Sequence, residues 1–183
     1  MRTFIAVDAY TEELGRLLPE LSRITGLRCV APGGLHVTLK FLGEIPEQRV
    51  EEVFSAMKRA FTNCTGFKFR ISGVGAFPNP RAARVVWAGI GEGGAELKTL
   101  QSRLEDELLG LGFRRERRTY VPHITLARVK SPAARRGVLR FIEAHAGDAL
   151  GEVLVEDVKL MKSTLTPGGA VYTELRRVPL GNR

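Results

Sequence analysis

Two stretches of this chain set an imidazole beside a hydroxyl in the same frame, His36-Val37-Thr38-Leu39 and His123-Ile124-Thr125-Leu126. The chain holds three histidines, twelve threonines and 22 leucines in 183 residues. A histidine meets Thr at +2 and Leu at +3 by chance with a probability of roughly 0.8%, so two of three doing so has a chance of roughly two in ten thousand. One His-x-Thr alone would read as a strand with a buried histidine. Two of them, 87 positions apart, read as a duplicated site.

Residues two apart in a strand share a face, and the residue between them points the other way. His36 with Thr38, and His123 with Thr125, therefore share a face. Val37, Leu39, Ile124 and Leu126 take the opposite side, where β-branched and apolar chains suit a core. If the two halves pack about an approximate twofold axis with these strands adjacent, one cleft is lined by two imidazoles and two hydroxyls. That set amounts to an acid, a base and two hydrogen-bond donors.

The elements that must position these strands are legible around them. A strand over 3–8 leads to Thr11, a helix cap, with Glu12 and Glu13 in the first turn. Leu14, Leu17, Leu18, Leu21 and Ile24 make one apolar stripe on a helix over 11–24. A short strand over 27–30 and a turn over 31–34 deliver the chain into the first motif strand, 35–42. Helix 47–61 follows, then strands 67–77 and 84–90 as a hairpin, helix 95–109, the second motif strand over 120–130 and helix 133–145. Strands 152–163 and 170–178 close the chain as a second hairpin. The expected architecture is α+β: one domain over 1–183 made of two pseudo-symmetric lobes, with two antiparallel sheets facing a central cleft and helices outside. Phe41, Phe77 and Tyr120 are candidates for base platforms, with the core as their default.

Composition narrows the partners. At 44% hydrophobic residues the chain can bury a full core. Its apolar runs are too short to span a bilayer, and the stretch from Met1 to Asp8 lacks the apolar region and cleavage site of a signal peptide, so a cytoplasmic, membrane-free protein is expected. Cys29 and Cys64 have no metal or disulfide spacing and carry no functional assignment. The net charge of +8 is concentrated: residues 111–140 hold nine Lys/Arg (Arg114, Arg115, Arg117, Arg118, Arg128, Lys130, Arg135, Arg136, Arg140) against Glu116 alone, and the remainder balances. A basic stretch around one motif favours a polyanionic ligand, RNA or DNA.

Gly89-Ile90-Gly91-Glu92-Gly93-Gly94 matches the dinucleotide-binding GxGxxG. That fingerprint needs a βαβ unit with an acidic residue ending the next strand. Here the following helix runs into Gly110, Gly112 and the arginine cluster, so a glycine-rich connection is the better reading. His145 lacks a Thr partner and sits near a helix end, where an imidazole needs no special role.

The paired His-x-Thr-Leu motifs, the strand Thr3-Phe4-Ile5-Ala6-Val7, the segments His36 to Gly43 and Pro122 to Arg128, and Ser163 to Gly169 with Tyr172 together resemble the 2H phosphoesterase superfamily. Within it the nearest resemblance is to the RNA 2′,3′-cyclic phosphodiesterases, historically called 2′-5′ RNA ligases. It spans nearly the whole chain and implies a bilobal α+β fold with both motifs in a central cleft. It also implies catalytic roles for His36 and His123, phosphate contacts from Thr38 and Thr125, and a cationic contact from Arg128. The implied reaction is hydrolysis of an RNA terminal 2′,3′-cyclic phosphate to a 2′-phosphate, with the 3′ oxygen leaving. The resemblance sets His36 beside the leaving oxygen as acid and His123 beside water as base.

Two histidines suit that chemistry, because an unperturbed pKa of about 6.5 allows one neutral and one protonated ring near neutral pH. Arg128 fits less simply. It lies five residues after His123, so a regular strand would turn it to the core, and it needs a bulge or the strand's end to reach the cleft. No metal and no cofactor are expected, and a monomer acting on RNA or nucleotides with cyclic phosphate ends is. The alternatives are ligation, in which a ribose hydroxyl replaces water, and a nonenzymatic RNA-binding module, which would leave the duplicated His-x-Thr pairs without a purpose.

Overall fold

The computed structural model describes residues 1–182. In chain order it runs β1 (Arg2–Asp8), α1 (Glu12–Ser22), β2 (Leu27–Cys29), β3 (His36–Glu44), α2 (Val50–Ala60), β4 (Phe67–Phe77), β5 (Val85–Ile90), α3 (Gly94–Leu109), β6 (His123–Val129), α4 (Arg135–His145), β7 (Ala149–Val155), β8 (Asp157–Thr166) and β9 (Gly169–Pro179). Thr11 caps α1 as its residue type predicts: its hydroxyl oxygen accepts from the Leu14 amide at 3.2 Å and its proton goes to the Leu150 carbonyl at 2.6 Å. Of the predicted stripe, Leu14, Leu17, Leu18 and Leu21 are buried on α1, whereas the helix stops at Ser22 and Ile24 lies beyond it, half-buried.

The strands form one curled antiparallel sheet in the order β7-β4-β5-β6-β3-β1-β8-β9, with β2 also paired to β6. The expected two facing sheets are thus a single continuous one. Four strands stand on each side of the junction between β6 and β3. These sides are not the two halves of the chain, since β8 and β9 from the C-terminal end extend β1. The helices cross over as well: α1 packs on β2 and β7, α4 on β4, α3 on β3, and α2 on α3 and β9. Among the described residues no helix is long and apolar enough to cross a membrane.

Sequence periodicity places a single strand over 152–163. The structure divides it at Glu156, because β7 pairs with β4 whereas β8 pairs with β1 and β9. Unbroken alternation carries no mark of a change of partner. One residue separates two strands six places apart in the sheet order, so the sheet must curl until its β7 edge comes round to β8. The second motif strand begins at His123 rather than near Tyr120. Pro122 has no amide to give a ladder, and the Tyr120 hydroxyl instead donates to the Thr38 carbonyl at 2.9 Å.

The GxGxxG stretch is a packing device. The strands flanking α3 pair antiparallel, so no parallel βαβ unit exists. Gly93 has φ 85° and a side chain there would run into Lys68 and Phe69, while one at Gly89 would lie 2.7 Å from the Ser72 carbonyl. These glycines let the chain lie against β4.

Behind the first motif strand, the buried Lys40 ammonium donates to both Glu105 carboxylate oxygens at 2.8 and 3.0 Å and to the Arg114 carbonyl at 2.7 Å. Gln101 donates to the same carboxylate at 3.1 Å. Lys40→Met would leave Glu105 buried without its counter-charge, at an expected cost of about 3–5 kcal/mol. Urea unfolding should therefore show a lower midpoint at an unchanged slope. A Lys40→Met, Glu105→Leu double variant should regain most of the loss; equal instability of the two variants would contradict this account of the pair.

Candidate active site

The two motif strands lie side by side and antiparallel, with Val37 opposite Ile124. One residue to either side of that pair in the same register sets His36 across from Thr125 and Thr38 across from His123. Val37, Leu39, Ile124 and Leu126 are buried, while the four polar side chains are half-buried on the other face. The residues singled out by spacing are thus gathered on one face at the centre of the sheet.

Each motif strand then carries a bulge at the same place. The β1–β3 ladder passes from Lys40 to Thr38 without pairing Leu39, and the β5–β6 ladder passes from Ala127 to Thr125 without pairing Leu126. Two consecutive residues are buried at each bulge, Leu39 with Lys40 and Leu126 with Ala127. The alternation restarts one residue late, so the position five after each histidine returns to the histidine's face. In β6 that position is Arg128, which answers the difficulty raised by its spacing. In β3 it is Phe41, which is 56% exposed and so is not the core residue assumed by default. Arg28 of β2 lies opposite Arg128, and directly opposed residues share a face, so a second arginine stands at this end of the cleft.

Both imidazoles are fixed in the same way. His36 Nδ1 lies 2.7 Å from the Gly34 carbonyl oxygen and His123 Nδ1 lies 2.8 Å from the Val121 carbonyl oxygen, in each case two residues back. A carbonyl only accepts, so Nδ1 carries the proton in both rings. Nε2 is left to take a proton when the ring is neutral and to give one when it is charged. Aromatic rings hold the imidazole planes. Phe4 stacks on His36 at 4.9 Å with Tyr172 edge-on at 5.2 Å, and Phe77 meets His123 edge-on at 4.9 Å.

Burial pushes both histidines below their ordinary pKa, opposed by the carbonyl bonds, and their remaining neighbours differ. Asp8 lies opposite His36 in the β1–β3 ladder and favours its charged form. The corresponding neighbour of His123 in β5 is Gly89, and the charge felt there is Arg128, which favours the neutral form. Asp8 is itself held by Lys159, which also lies 3.6 Å from Glu174.

A pocket of about 60 Å³ opens beside His36, lined by Phe4, Gly34, Lys159 and Tyr172 among others. A larger one of about 220 Å³ lies between β1 and β7, but Asp8, Glu156 and Asp157 line it. Size favours the second for a ligand, and charge excludes it for a phosphate. Among the described residues no three His, Cys, Asp or Glu side chains are grouped so as to hold a metal ion. His145 is tied to Asp148 at 2.6 Å and Glu20 at 3.0 Å, joining α4 to α1. Phe77, a candidate base platform in the sequence, instead packs edge-on against His123, and sequence reasoning gave no role to Asp8 or Arg28. Their only signal is strand pairing, which a single sequence does not display.

A curled antiparallel sheet with two His-x-Thr strands paired at its centre places the chain in a family of RNA-directed enzymes: it belongs to the 2′-5′ RNA ligase superfamily, whose family model matches residues 26–166. It is 38% identical over 179 residues to the RNA 2′,3′-cyclic phosphodiesterase of Archaeoglobus fulgidus, covering 96% of this chain and 98% of that one. It is 35% identical to the protein of the same name from Thermotoga maritima, covering 96% and 93%. Among solved structures, E. coli LigT complexed with 3′-AMP superposes with a TM-score of 0.76 at 26% identity, covering 98% of this chain and 97% of that one.

Proposed function

We propose that the cleft hydrolyses RNA ends bearing a 2′,3′-cyclic phosphate to a 2′-phosphate, by paired acid and base catalysis from His36 and His123. The observation that carries this reading is the twin fixation of the imidazoles, each held through Nδ1 by the carbonyl two residues back with Nε2 free. The relatives' names supply the substrate class.

Water attacks phosphorus in line with the departing 3′ oxygen, so base and acid must stand on opposite sides of the phosphate. The two histidines flank the Val37–Ile124 pair and meet that demand. His123, beside Arg128 and without a carboxylate opposite it, is the better neutral base. His36, beside Asp8, is the better charged acid. Water's proton passes to His123 Nε2, and His36 Nε2–H protonates the 3′ oxygen as the bond to phosphorus breaks. Thr38, Thr125 and Arg128 donate to the nonbridging oxygens as charge builds there, with Arg28 adding positive potential.

The arginine-rich segment supports RNA as the partner. Lys40 holds the Arg114 carbonyl and Tyr120 holds the Thr38 carbonyl, so residues 115–119 form an arch pinned at both ends to β3. Arg115 is engaged by Asp106, while Arg117 and Arg118 are exposed. Both motifs come from one chain, so a monomer suffices, and the four strands on either side of the β6–β3 junction are read as diverged copies of one lobe. Hydroxyl and guanidinium donors take the part of a metal. After exhaustive chelation the protein should still turn over uridine 2′,3′-cyclic phosphate at its full rate. Loss of turnover restored by a divalent ion would overturn the metal-free mechanism.

A further inference from the structure

We infer that Lys40 and Tyr120 are positioning residues that hold the arginine arch beside the cleft, and that this fastening, without touching the reacting atoms, sets a preference for RNA ends over mononucleotides. The inference rests on the proposed cyclic phosphodiesterase reading. β6 starts at His123, across from Thr38, whereas β3 runs on to Glu44, so residues 39–44 have no part of β6 beside them. The chain over 114–120 leads into β6 past this open stretch. It is caught at its start, where the Arg114 carbonyl accepts from the Lys40 ammonium at 2.7 Å, and at its end, where the Tyr120 hydroxyl donates to the Thr38 carbonyl at 2.9 Å. Arg117 and Arg118 stand exposed between the two fastenings.

The chemistry of the first fastening shows what it is for. The Lys40 and Glu105 side chains are only 3% and 6% exposed, and stability alone does not account for a buried ion pair, since apolar residues of similar volume in both places would serve as well. Apolar residues could not donate to the Arg114 carbonyl, nor attract Glu116 of the arch, whose carboxylate lies 3.7 Å from the Lys40 ammonium. Arg49 donates to the Leu111 carbonyl at 2.7 Å and lies over the Phe113 ring at 4.8 Å, which settles the chain as far as the arch but not the arch itself. The Arg115–Asp106 pair is exposed on both sides, and such pairs hold little. Lys40 is thus the buried fastening at this end. An arch held in advance lets Arg117 and Arg118 meet phosphates of an RNA strand leaving the cleft without first being ordered. A mononucleotide has no such phosphates to offer, so the fastening acts on RNA alone.

The test uses the Lys40→Met, Glu105→Leu double variant, which keeps the core filled and removes the donor, with uridine 2′,3′-cyclic phosphate and a short oligouridylate ending in the same group as substrates. Turnover of the mononucleotide should be unchanged. KM for the oligonucleotide should rise roughly 10- to 30-fold at about 0.1 M salt, the loss of two phosphate contacts at about 0.7 counterions each, and its dependence on log salt should flatten by about 1.4. Arg117→Gln with Arg118→Gln should give the same change in the wild-type background and add little in the double variant. Trypsin should cut after Arg117 and Arg118 faster in the double variant than in the wild-type protein. Tyr120→Phe, which disturbs no buried charge, should raise KM for the oligonucleotide in the same way to a smaller degree, and it carries the test should the double variant fail to fold. Equal losses on both substrates, an unchanged KM and salt slope for the oligonucleotide, or full additivity with the arginine changes would each overturn the inference. A wild-type protein that turns over neither substrate would instead overturn the reading beneath it.

Discussion

His36→Ala and His123→Ala should each lower kcat/KM for a 2′,3′-cyclic phosphate by about 10²- to 10⁴-fold, the range for loss of a positioned proton-transfer group. Both rings are half-buried and hydrogen-bonded only to backbone, so the variants should fold as the wild-type protein does. The pair acts in one transition state, and the double variant should therefore fall short of the product of the two losses. The pH profile carries the sharper content. Burial holds both histidines below their usual value of 6.5, so the bell in kcat/KM, which reports free protein, should centre on the acid side of that value. Activity falls at low pH as the base gains its proton and at high pH as the acid loses its own. A bound phosphate anion favours both imidazoliums, so the bell in kcat should move to higher pH. His123→Ala should lose the acidic limb and His36→Ala the alkaline one. Near-wild-type activity in either variant would end the assignment.

The second large effect separates the two roles. A substrate with sulfur in place of the 3′ oxygen has a leaving group that needs little protonation. It should restore most of the activity lost in His36→Ala, a gain of about 10²-fold or more over the oxygen substrate, and should leave His123→Ala impaired. The physical ground is the unequal surroundings of two equivalent rings: Asp8 opposite His36, Gly89 opposite His123, and Arg128 on the side of His123. Asp8→Asn should accordingly weaken the oxygen reaction more than the sulfur one. Rescue of His123→Ala in place of His36→Ala would reverse the roles.

Much of this was legible in the sequence because short-range periodicity reports it directly. The alternation in His36-Val37-Thr38-Leu39 and its twin gave the shared face, Thr11 with its leucine stripe gave α1, and the charge count located the arginine arch. Less local features were not legible. Whether Arg128 and Phe41 face core or cleft depends on bulges at Leu39 and Leu126, and no residue there departs from ordinary strand composition. The division at Glu156 depends on which neighbours β7 and β8 find, as does the difference between one curled sheet and two facing ones. The neighbours that distinguish the histidines, Asp8 and Gly89, come from β1 and β5, 28 and 34 residues away in the chain, and only cross-strand pairing joins them to the motifs.

The most direct measurement is the fate of the phosphate itself. With uridine 2′,3′-cyclic phosphate in water enriched in oxygen-18 and free of metal, wild-type protein should give uridine 2′-phosphate with one heavy oxygen on phosphorus and none in the ribose. A 3′-phosphate product, or heavy oxygen in the ribose, would contradict in-line attack of water on phosphorus with departure of the 3′ oxygen.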